Sequence, residues 1–479
     1  MNYLLDIKSA FLPEIIIFAF ILINVILSIF LSKKHYKISR LINLLGILIS
    51  IYSISFLQAE PTYTAFNGSI LSNICNVFFK CLILINSFFI ILISFKTIKK
   101  QKNKAFEYFA VLFSTILGAL ILTCSNNFLV AFLSLELMSI NGYFLSSFSK
   151  NNKAQNYNLK QIINSFIPTT FFLLGTSYIY GICGTINFDT ITTTLIGYQS
   201  SFLYIFSVIL ILFSIALKTN IISFNKTNTD IFETSTYPVV IFLSTIPKIA
   251  GFAFLLKLII LFYNYAPIIS LVIIIMAIIS LLFNIAKLFQ TTNIKTFFAC
   301  SAYAQSALIL ILLALPSTFN ITGLLYCLIY YLFTNLALGA GITSIYNSTK
   351  RNDLNIYKGI GYKLPFFTTT IILTIFALCG FPPTSGFWAR FFIFSSQIRL
   401  GFYYIPFLLI TMFLTIMLIF TYFRPIKIML ERNNNNKIQF FTPIIFSKII
   451  FYFCAIITIL LCFYSEKIIE LCELIAYSI

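Results

Sequence analysis

The chain has 479 residues, of which 59% are hydrophobic and 9% charged. Soluble domains carry about a quarter charged residues, so a soluble enzyme is excluded, and with no long polar stretch the length fits one membrane domain. The net charge of +19 sits in short loops between apolar runs rather than on one stripe or tail. That is the positive-inside distribution of a membrane protein, and nucleic acid is not expected as a partner.

Other compositional features narrow the chemistry. A lone histidine, His35, rules out a His-ligated haem or a His-rich metal site. The ten cysteines are scattered without a CxxC pair and read as small buried hydrophobes. No cleavable signal peptide is expected, because the first apolar run follows Asp6 and Lys8 without a small-residue site behind it.

At about 20 helical residues per crossing, about 14 spans are predicted. They lie near 11–31, 41–57, 74–95, 106–123, 127–147, 161–183, 202–235, 237–261, 266–289, 297–315, 320–345, 365–396, 401–428 and 443–464, followed by a short stretch from Glu466 to Ile479. The segments 202–235 and 365–396 are too long for one simple crossing and are interrupted by polar or Pro/Gly residues. The loops support this phase. Lys33, Lys34, Lys37 and Arg40 follow the first span, and Lys96, Lys99, Lys100, Lys102 and Lys104 follow the third. Lys150 and Lys153 follow the fifth, and the alternation runs on through Lys295, Lys350, Arg351, Lys358, Arg432 and Lys437. The intervening loops are nearly free of basic residues. An even span number then puts both termini on the intermembrane-space or periplasmic side. A weak internal repeat pairs Asn158-Leu159-Lys160, opening the sixth span, with Asn293-Ile294-Lys295, opening the tenth.

Charges inside spans are the candidate functional groups, since one at the bilayer centre costs about 2.5–3.5 kcal/mol. Glu136, Lys218, Lys248 and Arg390 each lie well inside an apolar run. An acid and an amine on different helices can keep each other charged. Moving the carboxylate away releases the lysine proton, because desolvation disfavours the ammonium. Lys80 and Lys257 lie within reach of a span end and are read as snorkelling or paired statically. The stretch Gly380-Phe381-Pro382-Pro383-Thr384-Ser385-Gly386, just before Arg390, reads as a broken helix whose freed backbone groups need water or side chains. Gly380, Pro382, Pro383 and Gly386 are its breakers.

These stretches together resemble a family. Leu133-Ser134-Leu135-Glu136-Leu137, Leu159-Lys160, Ala216-Leu217-Lys218, Thr229-Asp230-Ile231-Phe232-Glu233, Asn293-Ile294-Lys295 with Ser301, and the Gly380–Phe387 stretch occur in an order similar to that of the antiporter-like membrane subunits of respiratory complex I. Tyr180-Gly181-Ile182-Cys183-Gly184-Thr185-Ile186-Asn187-Phe188 and Pro247-Lys248-Ile249-Ala250-Gly251-Phe252 favour the subunit N (NADH dehydrogenase subunit 2) branch.

The resemblance implies an all-α polytopic fold of about 14 helices, with two inverted five-helix repeats and discontinuous helices 7 and 12. The expected segments are 1–105 for three N-terminal helices, 106–261 and 262–428 for the repeats, and 429–479 for a basic loop, the last helix and the tail. It implies proton translocation through Glu136, Lys218, Lys248 and Arg390, with Lys160, Lys295 and Gln305 as auxiliary residues. NADH, FMN, iron–sulfur clusters and quinone are expected in partner subunits and none in this chain. The expected partners are other membrane-arm subunits and lipid. The expected location is an energy-transducing membrane, the mitochondrial inner membrane being favoured over a bacterial one.

The sequence departs from the family pattern at several places. Arg390 replaces a lysine and is effectively always protonated. Gln305 and Asn225 stand where the family has histidines, and Thr229-Asp230 where it often has Pro-Asp. A cation/proton antiporter subunit of the same superfamily is the alternative reading. A lipid-linked sugar flippase would not account for the Glu/Lys series, and a structural subunit that seals the membrane arm without pumping also stands.

Overall fold

The computed structural model describes residues 2–30, 36–57, 63–100, 104–148, 152–195, 202–223, 231–263, 266–349, 351–431 and 445–478. His35, Asn225, Thr229 and Asp230 lie outside them, as do Lys33, Lys34, Lys102, Lys150, Lys350, Arg432 and Lys437.

The principal helices are α1 (Asn2–Phe30), α2 (Tyr36–Ile54), α3 (Ile74–Lys100), α4 (Ala105–Cys124), α5 (Phe128–Ser147), α6 (Asn152–Cys183), α7 (Phe188–Leu195) and α8 (Phe202–Lys218). They continue with α9 (Tyr237–Leu261), α10 (Ala266–Gln290), α11 (Ile294–Leu310), α12 (Thr318–Thr349), α13 (Pro365–Cys379), α14 (Ser385–Arg399), α15 (Ile405–Leu430), α16 (Ile445–Phe463) and α17 (Ser465–Tyr477). Among the described residues, 12 helices are long and apolar enough to cross a membrane. Two shorter apolar helices, Phe202–Lys218 and Pro365–Cys379, open the segments expected to be discontinuous.

Helix is what an apolar run must form in lipid, because every backbone group has to be satisfied within the segment. The hydroxyls scattered through these helices follow the same rule. Ser87, Thr115 and Thr374 each donate to the carbonyl three residues back, at 2.7 Å, and so add no unmet polar group to the apolar surface.

The chain forms two compact units. Unit 1 comprises Met1–Ile221, Thr234–Val272 and Tyr477–Ile479, and unit 2 comprises Ile222–Glu233 and Ile273–Ala476. In unit 1, α4 packs on α5, α6 on α8, α1 on α4, and α9 on α3 and α4. In unit 2, α12 packs on α16 and α14, and α13 contacts α14, α15 and α16. The most enclosed helices are α9 and α11 with its 3-10 continuation to Ala314, whose apolar windows are wholly buried.

The structure corrects the repeat register and adds two elements. Asn158 lies inside α6, where its side-chain oxygen accepts from Ser146 Oγ at 2.6 Å. The residue that matches Asn293 is Asn127. Each caps a helix by accepting from the backbone N–H two residues on, that of Leu129 or Lys295. Each also forms an antiparallel bridge to the strand-like residue after the following long helix, Asn127 to Asn187 and Asn293 to Asp353. Asn127 and Asn293 thus occupy matching positions at the starts of α5 and α11. Part of the poorly charged loop after α2 is a hairpin, β1 (Tyr63–Ala65) and β2 (Ile70–Ser72), with Tyr63 opposite Ser72. The C-terminal stretch is α17, which buries Cys472, Ile475 and Ala476 and exposes Glu466, Glu470 and Glu473.

Candidate functional site

The break in unit 1 is a helix terminus built around Lys218. Ile221 N–H donates to the Ala216 carbonyl at 3.0 Å and Asn220 N–H to that of Leu217 at 3.2 Å. With Asn220 left-handed at φ +58°, this is a Schellman stop, and Asn is one of the few side-chain-bearing residues that takes this conformation easily. Lys218, the last residue of α8, therefore sits at the negative end of the helix dipole. Its ammonium makes an ion pair with Glu136 of α5. It also donates to Thr169 Oγ1 of α6 at 2.8 Å, while that hydroxyl donates to Glu136 Oε1 at 2.9 Å. The Lys218 side chain is 2% exposed and that of Glu136 23%. The acid thus reaches the edge of the unit, whereas the amine is enclosed beside the Phe132 ring.

Lys248 lies in the middle of α9 and is 1% exposed. Pro247, just before it, interrupts the helix ladder. One turn on, Gly251 lies so close to the end of α8 that a Cβ there would meet Thr219 Oγ1 at 2.4 Å. This close approach sets the helix that carries Lys248 directly against the break that carries Lys218.

The break in unit 2 has the same backbone design. Phe381 N–H donates to the Phe376 carbonyl and Gly380 N–H to that of Ala377, both at 3.1 Å, with Gly380 at φ +86°. Pro382 and Pro383 lie exposed in the gap and bring no backbone donors to be satisfied. Gly386, in the first turn of α14, rests on the last turn of α13, where a Cβ would come within 1.9 Å of the Ala377 oxygen.

The carbonyls freed at this stop are taken by side chains. Leu378 O accepts from Arg390 NH2 at 3.0 Å and from Gln305 Nε2 at 2.9 Å. Gln305 also reaches Tyr422 OH at 3.2 Å and accepts from Arg390 NH2 at 3.5 Å. Tyr330 OH donates to Ala377 O at 3.0 Å. A cation at a helix C-terminus is favourable. Arg390 is thus a fixed charge that caps a broken helix, and its NH1 has no hydrogen-bond partner among the described residues.

The remaining candidates are dispersed. Lys295 is buried and donates to the Glu233 carbonyl at 3.1 Å, which ties the start of α11 to the segment after the break at Lys218. Lys160 is exposed on α6, its ammonium 6.0 Å from the Tyr157 ring on the same helix. Thr169 is a site residue that sequence reasoning missed. Its one signal is a hydroxyl following Pro168 in mid-span, which resembles many other Ser and Thr in these helices. Glu14 was also missed, although it lies inside the first predicted span. It pairs with Lys80 at 2.8 Å, with side chains 1% and 0% exposed, so Lys80 does not snorkel.

Discontinuous apolar helices with enclosed charges at the breaks define a class, the membrane transporters that build their sites from broken helices. More particularly, the family described as NADH:quinone oxidoreductase/Mrp antiporter, TM, matches residues 125–417, and the chain belongs to it. NADH-quinone oxidoreductase subunit N 2 of Chloroherpeton thalassium is 26% identical over 97% of this chain and 94% of its own length. NADH-quinone oxidoreductase subunit N of Bacillus anthracis is 27% identical over 96% and 94%. The fold is shared with a chain of respiratory complex I from Thermus thermophilus, with TM-score 0.79, 18% identity and coverage of 96% of this chain and 98% of that one. It is also shared with a chain of the Mrp complex from Dietzia sp., with TM-score 0.84, 13% identity and coverage of 98% and 97%.

Proposed function

We propose that the chain is a proton-translocating membrane-arm subunit of an NADH:quinone oxidoreductase. The observation that carries this reading is the enclosed Lys218 ammonium held by Glu136 and Thr169 at a helix break. While Glu136 is in contact, Lys218 keeps its proton. If Glu136 withdraws, the amine is left in an apolar enclosure that disfavours its charged form, and the proton passes toward Lys248 across the contact of Gly251 with Thr219. Arg390 acts as a fixed charge rather than a carrier, with Lys160, Lys295 and Gln305 in auxiliary roles.

NADH oxidation and quinone reduction belong to partner subunits in this reading, with FMN, iron–sulfur clusters and quinone held there. The energy arrives as a conformational and electrostatic change that shifts the Glu136–Lys218 contact. The termini face the intermembrane space or periplasm, as the loop charges imply, and the location is a mitochondrial or bacterial energy-transducing membrane. In the assembled complex, Lys218→Met is expected to lower the proton-to-electron ratio. An unchanged ratio in fully assembled complex sinks the mechanism. The alternative, a cation/proton antiporter subunit, is supported by the fold shared with the Mrp complex chain. Co-purification with quinone-reductase subunits separates the two readings.

A further inference from the structure

A second group of charges lies in unit 1, outside the stretch that the family match covers for Glu14 and Lys80. Glu14 stands on α1, just past Pro13 and the non-helical turn at Phe11. Lys80 of α3 meets the carboxylate at 2.8 Å, with the Phe11 ring 5.8 Å from the ammonium. Glu14 Oε2 has no hydrogen-bond partner among the described residues and is buried.

A third charge faces the same place from α9. Lys257 donates to the Ser125 carbonyl, at the end of α4, at 3.3 Å. Cys124, next to Ser125, lies against Lys80, and Cys75 and Cys124 face Lys257. The group is near one end of its helices: Lys80 is about 9 Å from the start of α3, and Lys257 about 6 Å from the end of α9. The hairpin joins that end, since Ile70 bridges to Ser125 and Asn126 N–H donates to Ser69 O at 2.9 Å.

The charge balance is what makes this group more than a static ion pair. Among the described residues, two ammoniums and one carboxylate meet here, so the group carries one positive charge beyond the ion pair, on a Lys257 ammonium that is only partly desolvated. Loss of one proton makes the group neutral. Glu14 and Lys80 are enclosed, whereas Lys257 is partly exposed, so Lys257 is the member in contact with the outside. Lys248 and Lys257 lie on one helix but nine residues apart, which places them on opposite faces. This group is therefore separate from the one around Lys218.

We propose that Glu14, Lys80 and Lys257 form a second proton-exchange site, at the hairpin end of unit 1, in which Lys257 takes up and releases the proton and the Glu14–Lys80 pair sets its charge environment. In the exchange, one N–H bond of the Lys257 ammonium breaks and the proton passes to water. The amine keeps the electron pair and is reprotonated in the next cycle.

The inference rests on the proton-translocating reading above, and its test separates the two. The assembled complex would be reconstituted in liposomes, and the proton-to-electron ratio measured beside the NADH:quinone rate for Lys257→Arg, Glu14→Gln with Lys80→Met, and Lys218→Met. Arginine keeps the charge and can still donate to the Ser125 carbonyl, but it does not release its proton. The expected result is that Lys257→Arg falls to the ratio of Lys218→Met while the complex stays assembled. A merely structural lysine would be rescued by arginine, so a full ratio in Lys257→Arg overturns the proposal. If Lys257→Arg does not assemble, the neutralised pair decides in its place, because a buried ion pair replaced by neutral groups of similar size usually folds. A lowered ratio there supports the site, and a full ratio overturns it. If Lys218→Met itself keeps the full ratio, the translocation reading fails first.

Discussion

The two helix breaks use the same backbone stop for opposite purposes. At the end of α8, the left-handed residue is Asn220 and the charge at the stop, Lys218, points to a carboxylate and a hydroxyl on two other helices. At the end of α13, the left-handed residue is Gly380 and the charge, Arg390, comes from the next helix and turns back onto the stop itself. The first arrangement holds a titratable amine against a carboxylate that, in the proposed mechanism, withdraws. The second holds a permanent cation against a backbone carbonyl that cannot move without unwinding the helix. A Schellman stop thus provides the position, and the side chain at it decides whether the charge meets a carboxylate on another helix or the backbone of the stop itself.

The largest effect expected from breaking this comparison is at the glycines. Gly386→Ala places a Cβ on a backbone oxygen, and the assembled complex is expected to be lost, as measured by its yield on native gels. Gly251→Ala meets the Thr219 side chain, whose Cβ would lie 2.6 Å away and does not move when the side chain rotates, so the end of α8 must shift and assembly is expected to be reduced rather than lost, with strain of about 1–3 kcal/mol. Equal loss for both would mean that the stop at Gly380 is no more rigid than the one at Asn220.

Next come the exchanges of charge type. Lys218→Arg retains the ion pair with Glu136 but removes the exchangeable proton, so proton pumping is expected to fall at least tenfold. Arg390→Lys can still reach the Leu378 carbonyl and is expected to keep most of it, with lower thermal stability from the lost Gln305 contact. Pumping that survives the first change and not the second would reverse the assignment.

Smaller still is the exchange of the left-handed residues. Asn220→Gly is expected to shift stability by about 0.5 kcal/mol or less, since both residues suit the position. Gly380→Asn brings a Cβ to 2.6 Å from Arg390 Cγ, and a clear drop in the melting temperature is expected. The smallest effect concerns Lys358 and Glu431, an exposed pair at 2.9 Å near the end of α15. The Lys358 hydrogen bond and charge hold the Glu431 carboxyl below its ordinary range. Its contribution is therefore present above that range and lost as pH falls through the lowered value. Lys358→Gln is expected to remove this acid-side dependence, with a small loss of thermal stability at neutral pH that disappears in acid, as melting curves at the two pH values would show.

Much of the fold was legible because lipid imposes helix on any sufficiently apolar run. The span drawn at 237–261 is α9 to the residue, and the interruptions in 202–235 and 365–396 coincide with the stops at Asn220 and Gly380. The pairing of Glu136 with Lys218 could be anticipated because each is costly to bury alone. The repeat was misaligned because Asn-Xaa-Lys recurs within α6 without capping anything. Whether an Asn accepts from the N–H two residues on depends on where the helix starts, which apolar periodicity locates only loosely.

By itself, the sequence determined the helical membrane class and the buried charges that had to be answered. It could not say what answered them. Thr169 reaches Glu136 and Lys218 from a third helix, Glu14 reaches Lys80 from α1, and Arg390 turns back onto a carbonyl rather than toward an acid. Burial cost is a property of the residue and its span, and so it shows in one dimension. The partner that offsets the cost comes from another helix, and only the packing of helices decides which one arrives.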